Sequence, residues 1–170
     1  ASYAKGVADM LGTTVTAISI NGGDSSELGS YGVEKVLAVK EDKLATFNAK
    51  AYASVIRQAA EQEGSKVIVI SSSADSKFIA PLLSVYLSAG YVSNVVALPE
   101  STSPLKVKRT AFSNKAFNST EISSDVKLIG LSNNAYGLKE NSVTASPEGF
   151  APSLSDEDFG VQIESVDKAT

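Results

Sequence analysis

The spacing of apolar residues predicts helices and strands in alternation through the first half of the chain. Residues 1–11 carry apolar side chains at helical spacing, and Gly12 follows as a terminator. Residues 48–63 form a second amphipathic segment, which Gly64 ends. Short apolar runs predict buried strands at residues 13–20, 35–39 and 67–70. This alternation is typical of a mostly parallel sheet with helices on both faces and right-handed crossovers.

The middle of the chain predicts a third helix followed by a fourth buried strand. The helix is expected from about residue 76 to residue 88. Its regular part should start near Phe78 or Ile79, because Pro81 is tolerated only within a first helical turn. The strand is expected over residues 94–98, directly before a proline.

The pattern then changes to a period of two. Residues 105–112 alternate as a strand with one wet face does. The apolar face of this strand carries Leu105, Val107, Arg109 and Ala111. Residues 116–122 and 126–131 predict two further strands, separated by residues 123–125 at hairpin spacing. The expected fold class is therefore a three-layer α/β/α sandwich, Rossmann-like, whose mostly parallel sheet carries an antiparallel extension.

The last forty residues predict little regular structure. Residues 133–152 are rich in Asn, Gly, Ser and Pro and predict a loop. The side chains expected to hold this region on the core are Phe150, Leu154 and Phe159. Residues 161–166 alternate again and predict an edge strand. We expect one domain over residues 1–165, with residues 166–170 beginning a linker.

A chain that forms a parallel sheet but begins with a helix is unusual. Residues 1–11 have the character of a crossover helix, and such a helix normally follows a strand. The sequence therefore predicts an incomplete N-terminal side of the sheet. A central strand is expected to be missing, or to be supplied by something outside the 170 residues.

Composition narrows the range of functions. The chain has 15 Lys and Arg against 19 Asp and Glu, with the charges interspersed, so a nucleic-acid partner is not expected. Histidine and cysteine are absent, which excludes thiolate nucleophiles, Cys/His zinc sites and histidine-based proton transfer. A chain without cysteine fits a reducing compartment. No apolar run approaches the roughly 20 residues of a membrane-spanning helix, and the N-terminal segment lacks signal-peptide character.

Two small-residue turns are candidate phosphate-binding sites. The turn at residues 21–25 contains Gly22, Gly23 and Asp24, but its spacing differs from the Ser-Gly-Gly-x-Asp-Ser of pyrophosphatase-type nucleotide loops. A plain turn with a helix cap at Ser25 or Ser26 explains these residues as well. No Gly-x-Gly-x-x-Gly fingerprint and no Walker loop occurs.

The second turn, Ser71–Ser73, follows a buried strand at its carboxyl end, where open α/β sheets bind ligands. Its hydroxyls could hold an adenylate phosphate. The alternative is a structural turn that caps the following helix. No acid–base pair accompanies the turn to convert binding into catalysis.

The basic strand carries the other candidate surface. Lys106 and Lys108 could protect an exposed sheet edge, since charged side chains discourage pairing with other chains. The same strand, continued by Phe112 and Lys115, could instead form a protein interface, where Arg and aromatic residues are enriched. Arg109 falls on the apolar face of the strand, and this favours a specific partner for it.

The segment from Ser71 to Leu98 resembles the N-terminal domain of electron-transfer flavoprotein alpha subunits. The family pattern is a small-residue turn, a glycine and a basic residue, a proline, a helix and Val-Ser-Asp before a strand. The matching residues are Ser72-Ser73-Ala74, Lys77, Pro81 and Val92-Ser93-Asn94. A second family pattern, Arg-x-x-(Tyr/Phe)-x-Gly-(Lys/Asn)-Ala, matches Arg109, Phe112, Lys115 and Ala116. The resemblance covers essentially the whole chain.

The chain departs from the family pattern at four positions. Ser76 and Asn114 stand where the family has glycine, Leu82 stands where an arginine is usual, and Asn94 replaces an aspartate. Asn is the least costly replacement for glycine where a positive φ is required. These departures affect contacts with ligands or partners at those points rather than the fold.

The resemblance implies a role in electron transfer. In the family this domain, of the adenine nucleotide alpha hydrolase-like type, is a scaffold that packs against the beta subunit. FAD is held mainly by a separate C-terminal domain whose Ser-Gly-Gly-Arg-Gly segment is not in this chain, so FAD is expected in the full-length protein and no cofactor in these residues. The complex serves dehydrogenases and a quinone-reducing oxidoreductase, in the bacterial cytoplasm or the mitochondrial matrix, as a carrier and not as a catalyst.

On this basis the interface residues expected are Arg109, Phe112 and Lys115, with no catalytic or metal-binding residue. The competing hypothesis is an adenine-nucleotide-binding module of the universal-stress type. Its ligand would lie over Ser71–Ser73 and Gly22–Asp24.

Overall fold

The computed structural model describes residues 1–161 and 164–165. Its helices are α1 (Ser2–Leu11), α2 (Ala49–Gln62) and α3 (Ser76–Tyr86). Its strands are β1 (Thr16–Ile20), β2 (Lys35–Val39), β3 (Val67–Ser71), β4 (Gly90–Val95), β5 (Ser101–Thr102), β6 (Leu105–Ala111), β7 (Ala116–Ile122), β8 (Lys127–Leu131) and β9 (Ser146–Gly149). Short 3₁₀ segments occur at Ser26–Ser30, Asp42–Leu44 and Asp156–Phe159. The predicted α/β class, with an antiparallel extension, is confirmed.

Local sequence signals set the ends of the first two helices. α1 ends at Gly12, which adopts the left-handed conformation with φ 67° that glycine accepts at least cost. α2 begins after Asn48, whose side-chain oxygen accepts hydrogen bonds from the N–H groups of Lys50 and Ala51. These two bonds satisfy N–H groups that a helix start otherwise leaves unpaired. Both helices lie within a residue or two of the predicted bounds.

The predicted late start of α3 is wrong. The helix begins at Ser76 and contains Pro81 in its interior, although proline removes one backbone hydrogen bond there. Buried side chains of α3, among them Ile79 and Leu83, pack against the sheet and α2. This tertiary packing outweighs the local cost of the proline.

The fourth strand also lies earlier than predicted. β4 runs from Gly90 to Val95, whereas the sequence predicted a strand over residues 94–98. Residues Gly90 to Val92 pair in parallel with β8, and the register then shifts before Val95. Asn94 has a positive φ of 57°, which interrupts regular pairing at this point.

β7 and β8 do not form the predicted hairpin. β7 pairs antiparallel with β6, while β8 lies between β3 and β4 and runs parallel to both. Leu128 and Ile129 of β8 are both fully buried although they point to opposite faces. A strand that is apolar on both faces is stable in the centre of a covered sheet, and this decides its position.

The predicted loop at residues 133–152 contains a strand. β9 pairs in parallel with β2. Its residues are all exposed, so the sequence has no apolar pattern from which this strand could be predicted. Three side chains were predicted to hold this region on the core. As expected, they pack where α2 covers the first sheet: Phe150, Leu154 and Phe159. The predicted edge strand over residues 161–166 includes residues 162, 163 and 166, which lie outside the described residues, as do the linker residues 166–170.

The strands form two sheets that the same helices cover. The first sheet has the order β1-β2-β9, and the second has the order β3-β8-β4-β6-β5 with β7 beside β6. α1 packs on both sheets, with Tyr3 and Val7 against the second and Ala8 against the first. α2 also packs on both, with Val55 against the first sheet and Ala53 against the second. A cleft of about 740 Å³ separates β1 from β3.

We predict that Leu128→Ala lowers the free energy of unfolding by about 2–5 kcal/mol, because it leaves a cavity in the centre of the second sheet. Urea unfolding would measure the change. The matched control is Leu138→Ala, since Leu138 is 80% exposed, and a change of no more than about 0.5 kcal/mol is expected there. Equal effects of the two substitutions would contradict the central position of β8.

Candidate functional site

A small polar pocket of about 280 Å³ lies where the second sheet meets the start of α3. The residues that line it are Ser72, Lys77, Tyr91, Ser93 and Asn94. Ser72 directly follows β3, and Lys77 belongs to the first turn of α3. The pocket therefore lies at the carboxyl end of a parallel strand and beside a helix N-terminus, the usual location of ligands in open α/β sheets.

The serine turn divides its roles between neighbouring residues. Ser73 Oγ accepts a hydrogen bond from the Ser76 N–H at 3.2 Å and lies 2.8 Å from Ser76 Oγ. Ser73 therefore caps the start of α3, as the structural interpretation predicted. Ser72 Oγ is buried and has no hydrogen-bond partner among the described residues. A buried hydroxyl without a partner carries a desolvation cost that a ligand could remove.

Tyr91 closes one side of the pocket. A Cβ atom at Gly130 would lie about 3.0 Å from the Tyr91 hydroxyl, so the absence of a side chain at Gly130 leaves room for the ring. Burial raises the pKa of Tyr91, while the positive charge of Arg109 and the Ser93 hydroxyl act in the opposite direction. The phenol is therefore a protonated donor at neutral pH.

Arg109 lies in the middle of β6, paired with Val95 of β4. The residue is half-buried, as are Lys106 and Lys108 of the same strand. Its Nε is buried and has no hydrogen-bond partner in the described part of the chain. Because its charge acts on the pKa of Tyr91, Arg109 belongs electrostatically to the neighbourhood of the polar pocket.

The other two predicted interface residues lie at the tip of the β6–β7 hairpin. Phe112, Ser113 and Asn114 all have a positive φ, at 49°, 52° and 66°. Asn114 thus adopts the conformation for which Asn is the least costly substitute for glycine. Phe112 is 83% exposed, and Lys115 is exposed beside it.

Two residues extend this surface: Lys108, which the sequence placed on the candidate basic strand, and Phe117, which it did not identify. Phe117 of β7 is 64% exposed, and Lys108 Nζ lies 4.5 Å from the centre of its ring. This geometry is a cation–π contact. The available signal was an aromatic residue on the wet face of an edge strand. We call Lys108, Phe112, Lys115 and Phe117 the hairpin surface.

The glycine turn at residues 21–25 is satisfied by its own neighbours. Asn21 donates a hydrogen bond from its side chain to the Glu41 carbonyl at 2.8 Å and accepts one from the Glu41 N–H at 3.0 Å. Asp24 Oδ1 accepts a hydrogen bond from the Ser26 N–H at 2.9 Å. The carboxylate of Asp24, and not the suggested hydroxyl of Ser25 or Ser26, therefore supports the short 3₁₀ segment. These contacts favour the structural interpretation of the turn.

Comparison with known proteins identifies the family. A family model described as the electron transfer flavoprotein domain matches residues 1–154. The chain belongs to the electron transfer flavoprotein family. It is similar to the electron transfer flavoprotein subunit alpha of Bacillus subtilis (strain 168), with 28% identity over 139 residues. The match covers 82% of this chain and 41% of that relative, so the chain spans about two fifths of the relative's length.

The family resemblance predicted from the sequence is thus confirmed. Within this electron transfer flavoprotein domain, the two linked motifs lie in different places. Lys77 and Asn94 of the first motif line the polar pocket, while Phe112 and Lys115 of the second lie at the hairpin tip. In the described ranges, no helix has the length and apolar character needed to cross a membrane.

We predict opposite effects of two alanine substitutions in the serine turn. Ser73→Ala removes the cap of α3 and should lower the free energy of unfolding by about 1 kcal/mol. Ser72→Ala removes a buried hydroxyl that has no described partner and should leave stability unchanged or raise it by up to about 1 kcal/mol. Urea unfolding of both variants tests this, and a comparable loss in Ser72→Ala would show that its hydroxyl has a structural partner.

Proposed function

We propose that this chain is the N-terminal domain of an electron-transfer flavoprotein alpha subunit and that it acts as a scaffold that binds the beta subunit. The similarity to an alpha subunit supports the assignment. The exposed aromatic residues of the hairpin surface support a protein partner. Arg109, Phe112 and Lys115 remain the proposed interface residues, and Phe117 and Lys108 extend them.

The conformation of Phe112 is the observation that carries this proposal. A left-handed backbone costs a side-chain-bearing residue roughly 1 kcal/mol, and the cost is greater for a bulky residue than for Asn. The 83% exposed ring recovers little of that cost by packing on its own chain. Strained, exposed aromatic residues of this kind are typical of positions that contact another molecule.

The charges around the aromatic rings indicate the chemistry of the partner. Lys108 lies over the ring of Phe117, and Lys115 follows Phe112 at the tip of the β6–β7 hairpin. Such a surface fits a partner patch with an apolar centre and acidic residues at its rim. Arg109, half-buried on the same strand, adds a positive charge that an acidic partner surface would favour.

The full-length protein would carry electrons through FAD bound outside this domain. In this proposal the domain positions the beta subunit, while dehydrogenases and a quinone-reducing oxidoreductase exchange electrons with the complete complex. The described residues offer no acid–base pair at the polar pocket, and the proposal gives the chain a carrier role without catalysis.

We predict that the double substitution Phe112→Ser and Lys115→Glu weakens binding of the beta subunit at least about 10-fold, because it removes an apolar anchor and reverses a rim charge. Surface plasmon resonance with the purified beta subunit would measure Kd. The matched control is Phe78→Ser on α3, where Phe78 is 65% exposed, and its Kd should not change. Unchanged binding in the double variant would remove the hairpin from the interface.

One observation favours the competing nucleotide-binding function. The Ser72 hydroxyl, the Lys77 ammonium and the N-terminus of α3 surround the same pocket. These groups could bind a phosphate. The pocket volume of about 280 Å³ lies at or below the lower limit for drug-sized ligands, however, and a whole adenine nucleotide would need further space.

Calorimetric titration of the chain with FAD, AMP and ATP separates the two functions. The scaffold proposal predicts no heat of binding for any of the three, since the polar pocket is small and the larger cleft is lined mainly by apolar side chains. Heat with AMP or ATP that disappears in Lys77→Ser would support the nucleotide-binding alternative. Stoichiometric, tight binding of FAD would contradict the scaffold proposal.

A further inference from the structure

The side chains that line the polar pocket have one chemical property in common. Among the described residues of its lining, every side chain can donate a hydrogen bond and none is a carboxylate: Ser72, Lys77, Tyr91, Ser93 and Asn94. Lys77 adds a positive charge to this lining. A pocket of this composition favours a ligand that is negatively charged and accepts hydrogen bonds.

The Ser72 hydroxyl lacks a hydrogen bond that its position requires. Its Oγ atom is buried and has no partner in the described part of the chain. The hydroxyl of the neighbouring Ser73, by contrast, is engaged in capping α3. A buried hydroxyl without a partner is destabilising, and an acceptor atom placed in the pocket would remove this cost.

The Tyr91 hydroxyl is a second donor on the wall of the pocket. Burial raises the pKa of Tyr91, so the phenol keeps its proton at neutral pH. The Ser93 hydroxyl acts on the pKa of Tyr91 in the opposite direction, as a donor to the phenol oxygen does. The proton of the Tyr91 hydroxyl can therefore be donated to a ligand in the pocket.

Two positive charges near the pocket are not used in ion pairs. Within residues 1–161 and 164–165, the ion pairs include neither Lys77 nor Arg109. The charge of Arg109 acts on the pKa of Tyr91, which places it in the electrostatic neighbourhood of the pocket. Asp75, the acid nearest to Lys77 along the chain, is exposed and does not line the pocket. An anion in the pocket would therefore be attracted by charges that no ion pair neutralises.

Asn94 determines the charge of the pocket lining. It stands where the family pattern Val-Ser-Asp has an aspartate. An aspartate here would add a negative charge to the pocket that Lys77 lines, and it would repel an anion. The amide of Asn94 has nearly the same shape, carries no charge and can donate hydrogen bonds. Its positive φ of 57° is one that both Asn and Asp adopt, so an exchange between them alters the charge and preserves the backbone.

The size of the pocket suits a small ion. Its volume is about 280 Å³, which corresponds to about nine water molecules at ~30 Å³ each. An ion of the size of phosphate takes the place of a few of these molecules and keeps part of its hydration shell. A whole adenine nucleotide needs more space than this.

We propose that the polar pocket is a binding site for a small inorganic oxyanion of the phosphate or sulfate type. Lys77 supplies the charge, while the hydroxyls of Ser72 and Tyr91 donate hydrogen bonds to the oxygen atoms of the ion, as does the amide of Asn94. The bound ion links the first turn of α3 to β4 and to the end of β3, so its binding stabilises the folded chain. The site is separate from the hairpin surface and does not depend on binding of the beta subunit.

NMR titration of the 170-residue chain with inorganic phosphate and with sulfate tests the proposal, at an ionic strength kept constant with sodium chloride. The amide signals of Ser72, Lys77 and Asn94 should shift and saturate, with a Kd on the order of 1 mM or below. Asn94→Asp should raise this Kd at least about 10-fold, because it adds a negative charge to the site. Phosphate should also raise the urea midpoint of the chain, and Asn94→Asp should abolish this rise.

The matched control is Asn141→Asp, which makes the same change at an exposed position that does not line the pocket. Its Kd should stay within about twofold of that of the original chain. Equal Kd values for the original chain and Asn94→Asp, or the absence of saturable shifts with both ions, would overturn the proposal. Tighter binding of AMP than of phosphate at the same amides would overturn it as well, and would assign the pocket to a nucleotide.

Discussion

The packing of α1 and α2 across both sheets is the constraint on which the rest of the structure depends. Each helix buries one side against β1 and β2 and the other against β3 and β8. Because the helices lie on opposite faces, the two sheets cannot turn independently of each other. The packing of the two helices therefore sets the position of the cleft between the sheets. It also fixes the carboxyl end of β3 beside α3, and so positions the polar pocket.

The sequence predicts elements well where local chemistry decides them. The glycine that ends α1 and the asparagine that starts α2 have local effects, and both helix bounds follow from them. The alternation in β6 likewise placed Arg109 on the apolar face of its strand, and its Nε is buried. Errors arise where tertiary packing overrides a local preference. Pro81 is accepted within α3 because neighbouring side chains are buried, and no local rule contains that information.

The order of the strands in the two sheets could not be predicted from the local sequence pattern. β8 follows β7 at hairpin spacing, yet it pairs with β3 and β4, since only a covered central position buries both of its faces. β9 has exposed side chains and is held by its backbone, so its pairing with β2 leaves no trace in hydropathy. The candidate site shows the same contrast between local sequence and tertiary structure. Phe112 was predicted from a motif, while Phe117 is recognised as part of the surface only when β7 is placed beside β6.

Gly130 shows how a residue that lines no pocket can set the dimensions of one. It lies under the Tyr91 ring on the neighbouring strand, and even a methyl group there would press on the phenol. A larger residue would press on both the Tyr91 ring and the Ser93 backbone, and both of these residues line the pocket. The dimensions of the pocket thus depend on a residue outside its lining, and a substitution at position 130 would change them without changing any lining residue.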